Sequence, residues 1–200
     1  MDTEKDTAAV AAAGTGTGTA ARTETGTAPA GESGFQIVNA VLSAEPISVA
    51  QAIAAVESDT AGAVVSFSGV VRNHDGGKPV ERLSYSAHPT AHQVMADVVA
   101  QLAAEHAGHA VGTDAVGTDA VGTDAVGTAA GGEPVRIWAA HRVGMLEIGD
   151  PALVCAVSAS HRGQAFEVCS ELVDRIKEQV PIWKEQFFSD GSVEWVGAGA

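Results

Sequence analysis

Eight side chains carry the chemistry this sequence can offer: Arg72, His74, His141, Arg142, His161, Arg162, Lys177 and Lys184. Each falls at the end of an expected strand or on one expected helix, where a scaffold can aim several groups into a shared cleft. Such a cluster suits a phosphate or a carboxylate. Arginine supplies a planar bidentate fork, and lysine a mobile point charge that can also serve as an acid or base when burial lowers its pKa. There is no GxGxxG, P-loop, HExxH or nucleophile elbow, and Ser66 and Ser68 lie in a strand-like run. From the residues alone, an enzyme acting on an anionic substrate stands beside two rivals. One is a binding module that shares the cleft without needing Lys177 for turnover. The other is an acyl- or phosphoryl-transfer enzyme, against which the missing motifs weigh.

The element that must position these groups runs from Ser158 to Glu185. It holds four of the chain's eleven Lys and Arg residues: Arg162, Arg175, Lys177 and Lys184. Ala165, Cys169, Leu172 and Ile176, with Val168, recur at helical steps and predict one buried face. Phe166, Val173 and Lys177 follow at steps of seven and four, so Lys177 continues the edge of that stripe. Ser160 is the expected N-cap, and Pro181 ends the helix. His161 and Arg162 stand at the helix start, where free N–H groups and the dipole favour an anion. Arg175 and Arg136 read as solvated faces, and His88, His92, His106 and His109 as surface residues. Arg142 has Glu147 or Asp150 as a possible partner.

The other elements follow from pattern. Strands are expected over 35–42, 62–71, 80–87, 134–141, 152–158, 182–188 and 193–196. Helices are expected over 49–56, behind the capping box Ser48 to Gln51, and from Thr90 to about Ala107. Arg72 to Gly77 reads as a polar loop, and the stretches around 142–144 and 147–150 as turns. The order β-α-β-β-α-β-β-α-β-β predicts a mixed α+β domain.

Two segments stand apart. Residues 1–34 are Ala, Gly, Thr and Glu without an apolar period, and read as a disordered tail with no secretory signal. Residues 110–128 repeat AVGTD with a period of five that fits neither a helix nor a strand face, and read as a surface insertion. Asp114, Asp119 and Asp124 lack the ligand density of a calcium loop. The folded domain is expected over 35–200. The 200 residues carry a formal charge of −14, which argues against a nucleic-acid partner. No stretch approaches the roughly 20 apolar residues of a membrane span. The two cysteines, Cys155 and Cys169, lie in apolar patterns and read as buried free thiols in a reducing cytoplasm.

The motifs FSGVVRNH, AHRVG, SASHR and the IK…VPIWKE ending resemble the large, catalytic subunit of molybdopterin synthase, the MoaE family. The resemblance spans nearly all of Phe35 to Val196, and the tail and repeat fall outside its motifs. It implies an α/β-hammerhead-type α+β fold, with a mixed or antiparallel sheet and packed helices. It implies a homodimer of large subunits, each docking a small ubiquitin-like subunit, in a cytoplasmic heterotetramer. The small subunit's C-terminal Gly-Gly thiocarboxylate would enter the large subunit's pocket. The sulfurtransferase would then move two sulfurs to cyclic pyranopterin monophosphate and form the molybdopterin dithiolene, with no cofactor and no metal of its own.

By the same resemblance Val70, Val71 and Arg72 form a substrate-binding strand end, and His161 and Arg162 a substrate-binding pair. Lys177 is the catalytic lysine. Lys184, with Glu185 and Gln186 beside it, is a second functional lysine that also binds substrate. Arg72, His161 and Arg162 are then expected to hold the phosphate and pterin, with Lys177 near the incoming thiocarboxylate. Lys184 is expected to support the anionic substrate or the opening cyclic phosphate. Gly69 and Gly144 are expected to let the partner's thin tail approach the backbone.

Overall fold

The computed structural model describes residues 34–110 and 134–197. Apart from Gly34 and Ala110, the expected tail and the AVGTD insertion lie outside the described residues. The described chain begins with β1 (Phe35–Ser43), α1 (Val49–Val56), β2 (Ala63–Val70), β3 (His74–Asp75) and β4 (Lys78–Ala87). It continues through α2 (Ala91–Ala110), β5 (Val135–Arg142), β6 (Gly144–Glu147), β7 (Pro151–Ala159), α3 (Arg162–Gln179), β8 (Ile182–Phe188) and β9 (Val193–Val196). The three expected helices and seven expected strands are all present. β3 and β6 are additions, in stretches whose sequence reads as loop and turn. Both are short and pair only with β4, so neither carries a period of its own.

The first sheet has the order β1-β5-β7-β2. β1 runs parallel to β5, and the other pairs are antiparallel. β7 is buried at every residue from Ala152 to Ala159. That is why it reads as a continuous apolar run and not as an alternation. One of its faces packs Val154 and Ala156 against Ile47, Ala52 and Val56 around α1. The other packs Leu153, Cys155 and Val157 into a core with Met95, Val99 and Leu102 of α2 and Val168, Leu172 and Ile176 of α3. Each of these larger aliphatic side chains contributes roughly 1.5–3 kcal/mol by its burial. Ser158, polar within this run, donates its hydroxyl to the Val56 carbonyl at 2.6 Å. It thereby satisfies one of the carbonyls that the end of α1 leaves without a helical partner.

Helix ends follow local chemistry. Ser48 caps α1 and accepts from the Gln51 N–H at 3.4 Å, as the capping box predicts. The N-cap of α3 is His161, not Ser160, because the extended backbone persists through His161 (φ −128°, ψ 140°). No side-chain hydrogen bond caps that end. At the other end the Val180 N–H bonds the Ile176 carbonyl before Pro181 stops the helix. The expected buried face of α3 is correct, and Val173 joins it. Arg175 is not a solvated cation. It pairs with both Glu105 of α2 and Glu171, donating Nε to the latter at 2.9 Å. Glu171 also bonds His106 at 2.8 Å, so His106 is a half-buried strut between α2 and α3. Arg136 likewise has a role, donating to the Glu57 carbonyl at 2.7 Å.

The second sheet has the order β3-β4-β8-β9, with β6 also pairing with β4, and all its pairs are antiparallel. Its core of Val71, Val80, Leu83, Leu146 and Phe188 includes Ala152 from β7. This apolar seam joins the two sheets and packs the end of β2 and the start of β7 against β4, β6 and β8. Among the described residues, no helix is long and apolar enough to cross a membrane.

Candidate active site

A cavity of about 420 Å³ opens at that seam. Gly69, Val70 and Arg72 reach it from the end of β2, and His74 and Asp75 from β3. Leu83 and Tyr85 line it from β4, His141 from the end of β5, and Ala152 and Leu153 from β7. Lys177 comes from the last turn of α3, and Lys184 and Gln186 from β8. In a chain of charge −14 the lining carries Arg72, Lys177 and Lys184 against one acid, Asp75.

Strand alternation sorts the β8 residues. Lys184 is the register partner of Tyr85, and both face the cavity. Glu185 pairs with Trp195 and Ser84, takes the opposite face and does not line the cavity. Within the cavity Lys184 Nζ donates to Asp75 Oδ2 at 3.2 Å, and Gln186 Nε2 donates to the same oxygen at 2.7 Å. Arg72 stands 3.6 Å from Asp75 Oδ1. The hydrogen bond from Lys184 is the largest influence holding the Asp75 carboxyl below its ordinary range.

Lys177 differs from Lys184. No described carboxylate pairs with it, and its ammonium lies over the Phe67 ring at 5.3 Å from the centroid. The negative face of the ring steadies the charge without neutralising it. Nearby, His141 Nδ1 lies 2.7 Å from the Arg142 carbonyl, which can only accept, so Nδ1 carries the proton. Burial first, and then the Lys177 charge, lower the His141 pKa, although the hydrogen bond opposes them. His141 is therefore neutral at pH 7, and its ring meets Tyr85 edge-on at 5.0 Å.

The structure brings together Val70, Arg72, Lys177, Lys184 and Gln186 of the residues expected from sequence, along with His74 and His141. Others lie elsewhere. Val71, just past the end of β2, is only 3% exposed and belongs to the apolar seam, its N–H held by the Asp150 carbonyl. His161 and Arg162 are exposed at the start of α3, while Lys177 sits near its end. Arg162 and Lys177 stand fifteen positions apart, about 22 Å along the helix axis, so one chain does not join them. Arg142 makes no ion pair with Glu147 or Asp150; the Asp150 carboxylate instead accepts from the Glu147 N–H. Gly69 lines the cavity, where an added Cβ would come within 3.3 Å of Phe67. Gly144 does not line the cavity. Nothing lies within 4 Å of its Cβ position, and its φ of +90° is what requires glycine.

Sequence reasoning passed over Asp75, Tyr85 and the Phe67 ring. The Asp75-Gly76-Gly77 run could have signalled a hairpin, and so the return of Asp75 beside β4. Cys155 and Cys169 are buried free thiols outside the cavity, as expected. Burial raises both, Cys169 to about 11 and Cys155 further. No group of three or more His, Cys, Asp or Glu among the described residues is placed to hold a metal ion.

The fold and cavity together define an α+β protein with a pocket lined by three cations and, among the described residues, one pocket lysine without an acid partner. A family model described as MoaE protein matches residues 42–179. The chain is 34% identical over 157 residues to molybdopterin synthase catalytic subunit 1 of Mycobacterium tuberculosis, with 78% of this chain and 88% of that protein covered. It is 34% identical over 171 residues to the molybdopterin synthase catalytic subunit of Nostoc sp., covering 84% and 85%. The crystal structure of molybdopterin synthase from Staphylococcus aureus superposes with a TM-score of 0.59 at 30% identity, covering 82% of this chain and 96% of that one. A MoaE protein from Burkholderia ambifaria shares the fold with a TM-score of 0.54 at 22% identity, covering 84% and 92%. The chain belongs to the MoaE family, and its relatives act in molybdopterin biosynthesis as catalytic subunits.

Proposed function

We propose that this chain is the sulfur-transferring subunit of a molybdopterin synthase. Its substrate is cyclic pyranopterin monophosphate, and its sulfur donor is the C-terminal Gly-Gly thiocarboxylate of a small ubiquitin-like partner. The observation that carries this reading is the Lys177 ammonium, unpaired by any described acid in a cavity otherwise furnished for an anion. Arg72 and Lys184 hold the phosphate, by fork and by point charge. Lys177 meets the thiocarboxylate, stabilises charge as sulfur bonds to the pterin side chain, and moves a proton there. Water then cleaves the acyl–sulfur bond. Its oxygen remains on the partner's tail as a carboxylate, and the sulfur remains on the substrate. Each new carbon–sulfur bond replaces a carbon–oxygen bond of the side chain. One is broken as the cyclic phosphate ester opens, with its oxygen kept on the phosphate, and the oxygen of the other is lost as water. Two such transfers complete the dithiolene. No cysteine of this chain lines the cavity, which fits a sulfur delivered from outside.

His161 and Arg162 enter the reading through the homodimer. At about 22 Å from Lys177 along α3 they serve the cavity of the second copy, adding cationic contacts to its phosphate or pterin. The test combines purified chain, cyclic pyranopterin monophosphate and the small subunit in thiocarboxylate or carboxylate form. Molybdopterin appears only with the thiocarboxylate. Partner binding without product from a folded chain would overturn the reading in favour of a binding module.

A further inference from the structure

Asp75 is the one acid lining a cavity whose other charges are positive. Three donors converge on its carboxylate. Lys184 and Gln186 reach Oδ2 at 3.2 and 2.7 Å, and Arg72 lies 3.6 Å from Oδ1. A cationic fork, an ammonium and an amide N–H around one anionic group are what a bound phosphate would itself demand. The carboxylate is held on an element able to withdraw. β3 has two residues and pairs with β4 only through His74↔Pro79 and Asp75↔Lys78. The chain then reverses at Gly76 and Gly77, with φ of +54° and +79°. Lys184 and Gln186, by contrast, lie on β8, which is paired on both sides, and Gln186 is 3% exposed, so these two donors stay where they are.

We propose that Asp75 is an internal stand-in for the substrate's anionic group, and that it determines specificity by having to be displaced from Arg72 and Lys184. Before binding, it orients Lys184 and blocks the cationic pair. A phosphate attached to a larger ligand gains contacts elsewhere in the cavity and displaces the carboxylate. A small free anion, lacking those contacts, competes poorly with it. Asp75 is thus a positioning residue that acts through Lys184, and it keeps the pocket clear of inorganic phosphate. This inference rests on the reading that the ligand carries a phosphate.

The experiment titrates inorganic phosphate into the full chain by calorimetry, for the native protein, Asp75→Asn and Asp75→Asn/Lys184→Ala. Asparagine keeps the size of the side chain and removes the charge. Phosphate should bind Asp75→Asn about two- to fivefold more tightly than the native chain, the range of one partly exposed ion pair. The double variant should lose that gain. Phosphate should also inhibit turnover at correspondingly lower concentration in Asp75→Asn. A purely structural role would weaken binding and lower the melting temperature together. Equal, weaker or undetectable binding by a folded Asp75→Asn overturns the proposal, as does a gain that survives loss of Lys184. Asp75→Ser serves in the same way should the asparagine variant not fold. Product formation by the native chain is scored separately, so sulfur transfer can succeed while this inference fails.

Discussion

Lys177 and Lys184 are both cavity lysines, yet their surroundings give them different work. Lys184 is tied to Asp75, whereas Lys177 rests over an aromatic face with no described acid beside it. Only Lys177 is free to meet a new negative charge without first breaking an ion pair. His141 adds a pH signature. Its pKa is lowered in the folded protein, chiefly by burial, so the unfolded chain takes up a proton at a pH where the native chain does not. Stability should therefore fall as pH drops from about 6.5 toward the lower native value, and level off below it. His141→Gln should flatten that part of a plot of unfolding free energy against pH. A slope unchanged by the substitution would assign the effect to another group. Burial also makes a prediction for the thiols. Neither Cys155 nor Cys169 should react with a thiol reagent at neutral pH until the chain unfolds, because both are buried and both thiols are raised. Rapid labelling of the native protein would contradict this.

At the scale of elements, α3 is the clearest case of sequence dictating structure. Its apolar spacing places Leu172 and Ile176 in the core and brings Lys177 out at the cavity. Leu172→Ala should cost about 2–5 kcal/mol of unfolding free energy, measured by denaturant titration, because it opens a void among packed residues. The same periodicity reads Phe166 less well, since that ring is 62% exposed. β8 is legible as a strand, and alternation then separates Lys184 and Gln186 from Glu185. The paired carboxylate is not legible, because Asp75 meets Lys184 across 109 positions of sequence and only topology joins them. β6 escapes notice for the same reason: four residues with one partner strand carry no pattern of their own. Gly144 starts that strand at φ +90°. Gly144→Val should lower stability by about 1–3 kcal/mol through backbone strain, with binding to the small subunit unchanged in the fraction that remains folded. A loss of partner binding at full stability would instead support the close-approach reading.

For the whole molecule, the length of α3 separates two sets of residues that the family resemblance assigns to one substrate. The proposed homodimer would reconcile them, and mixing tests it. Lys177→Ala and Arg162→Ala chains, each impaired alone, should regain activity when mixed dimers form, because one of the two cavities then has both residues intact. No recovery in confirmed mixed dimers would place the two residues in separate roles. The most direct measurement on the account as a whole concerns Lys177 itself. Molybdopterin formation from cyclic pyranopterin monophosphate and the thiocarboxylated small subunit should be followed for the native chain and for Lys177→Ala. The account predicts product from the native chain and a loss of about a hundredfold or more in the variant, with folding and partner binding retained. Native-like product formation by Lys177→Ala would remove this lysine from the chemistry and contradict the central claim.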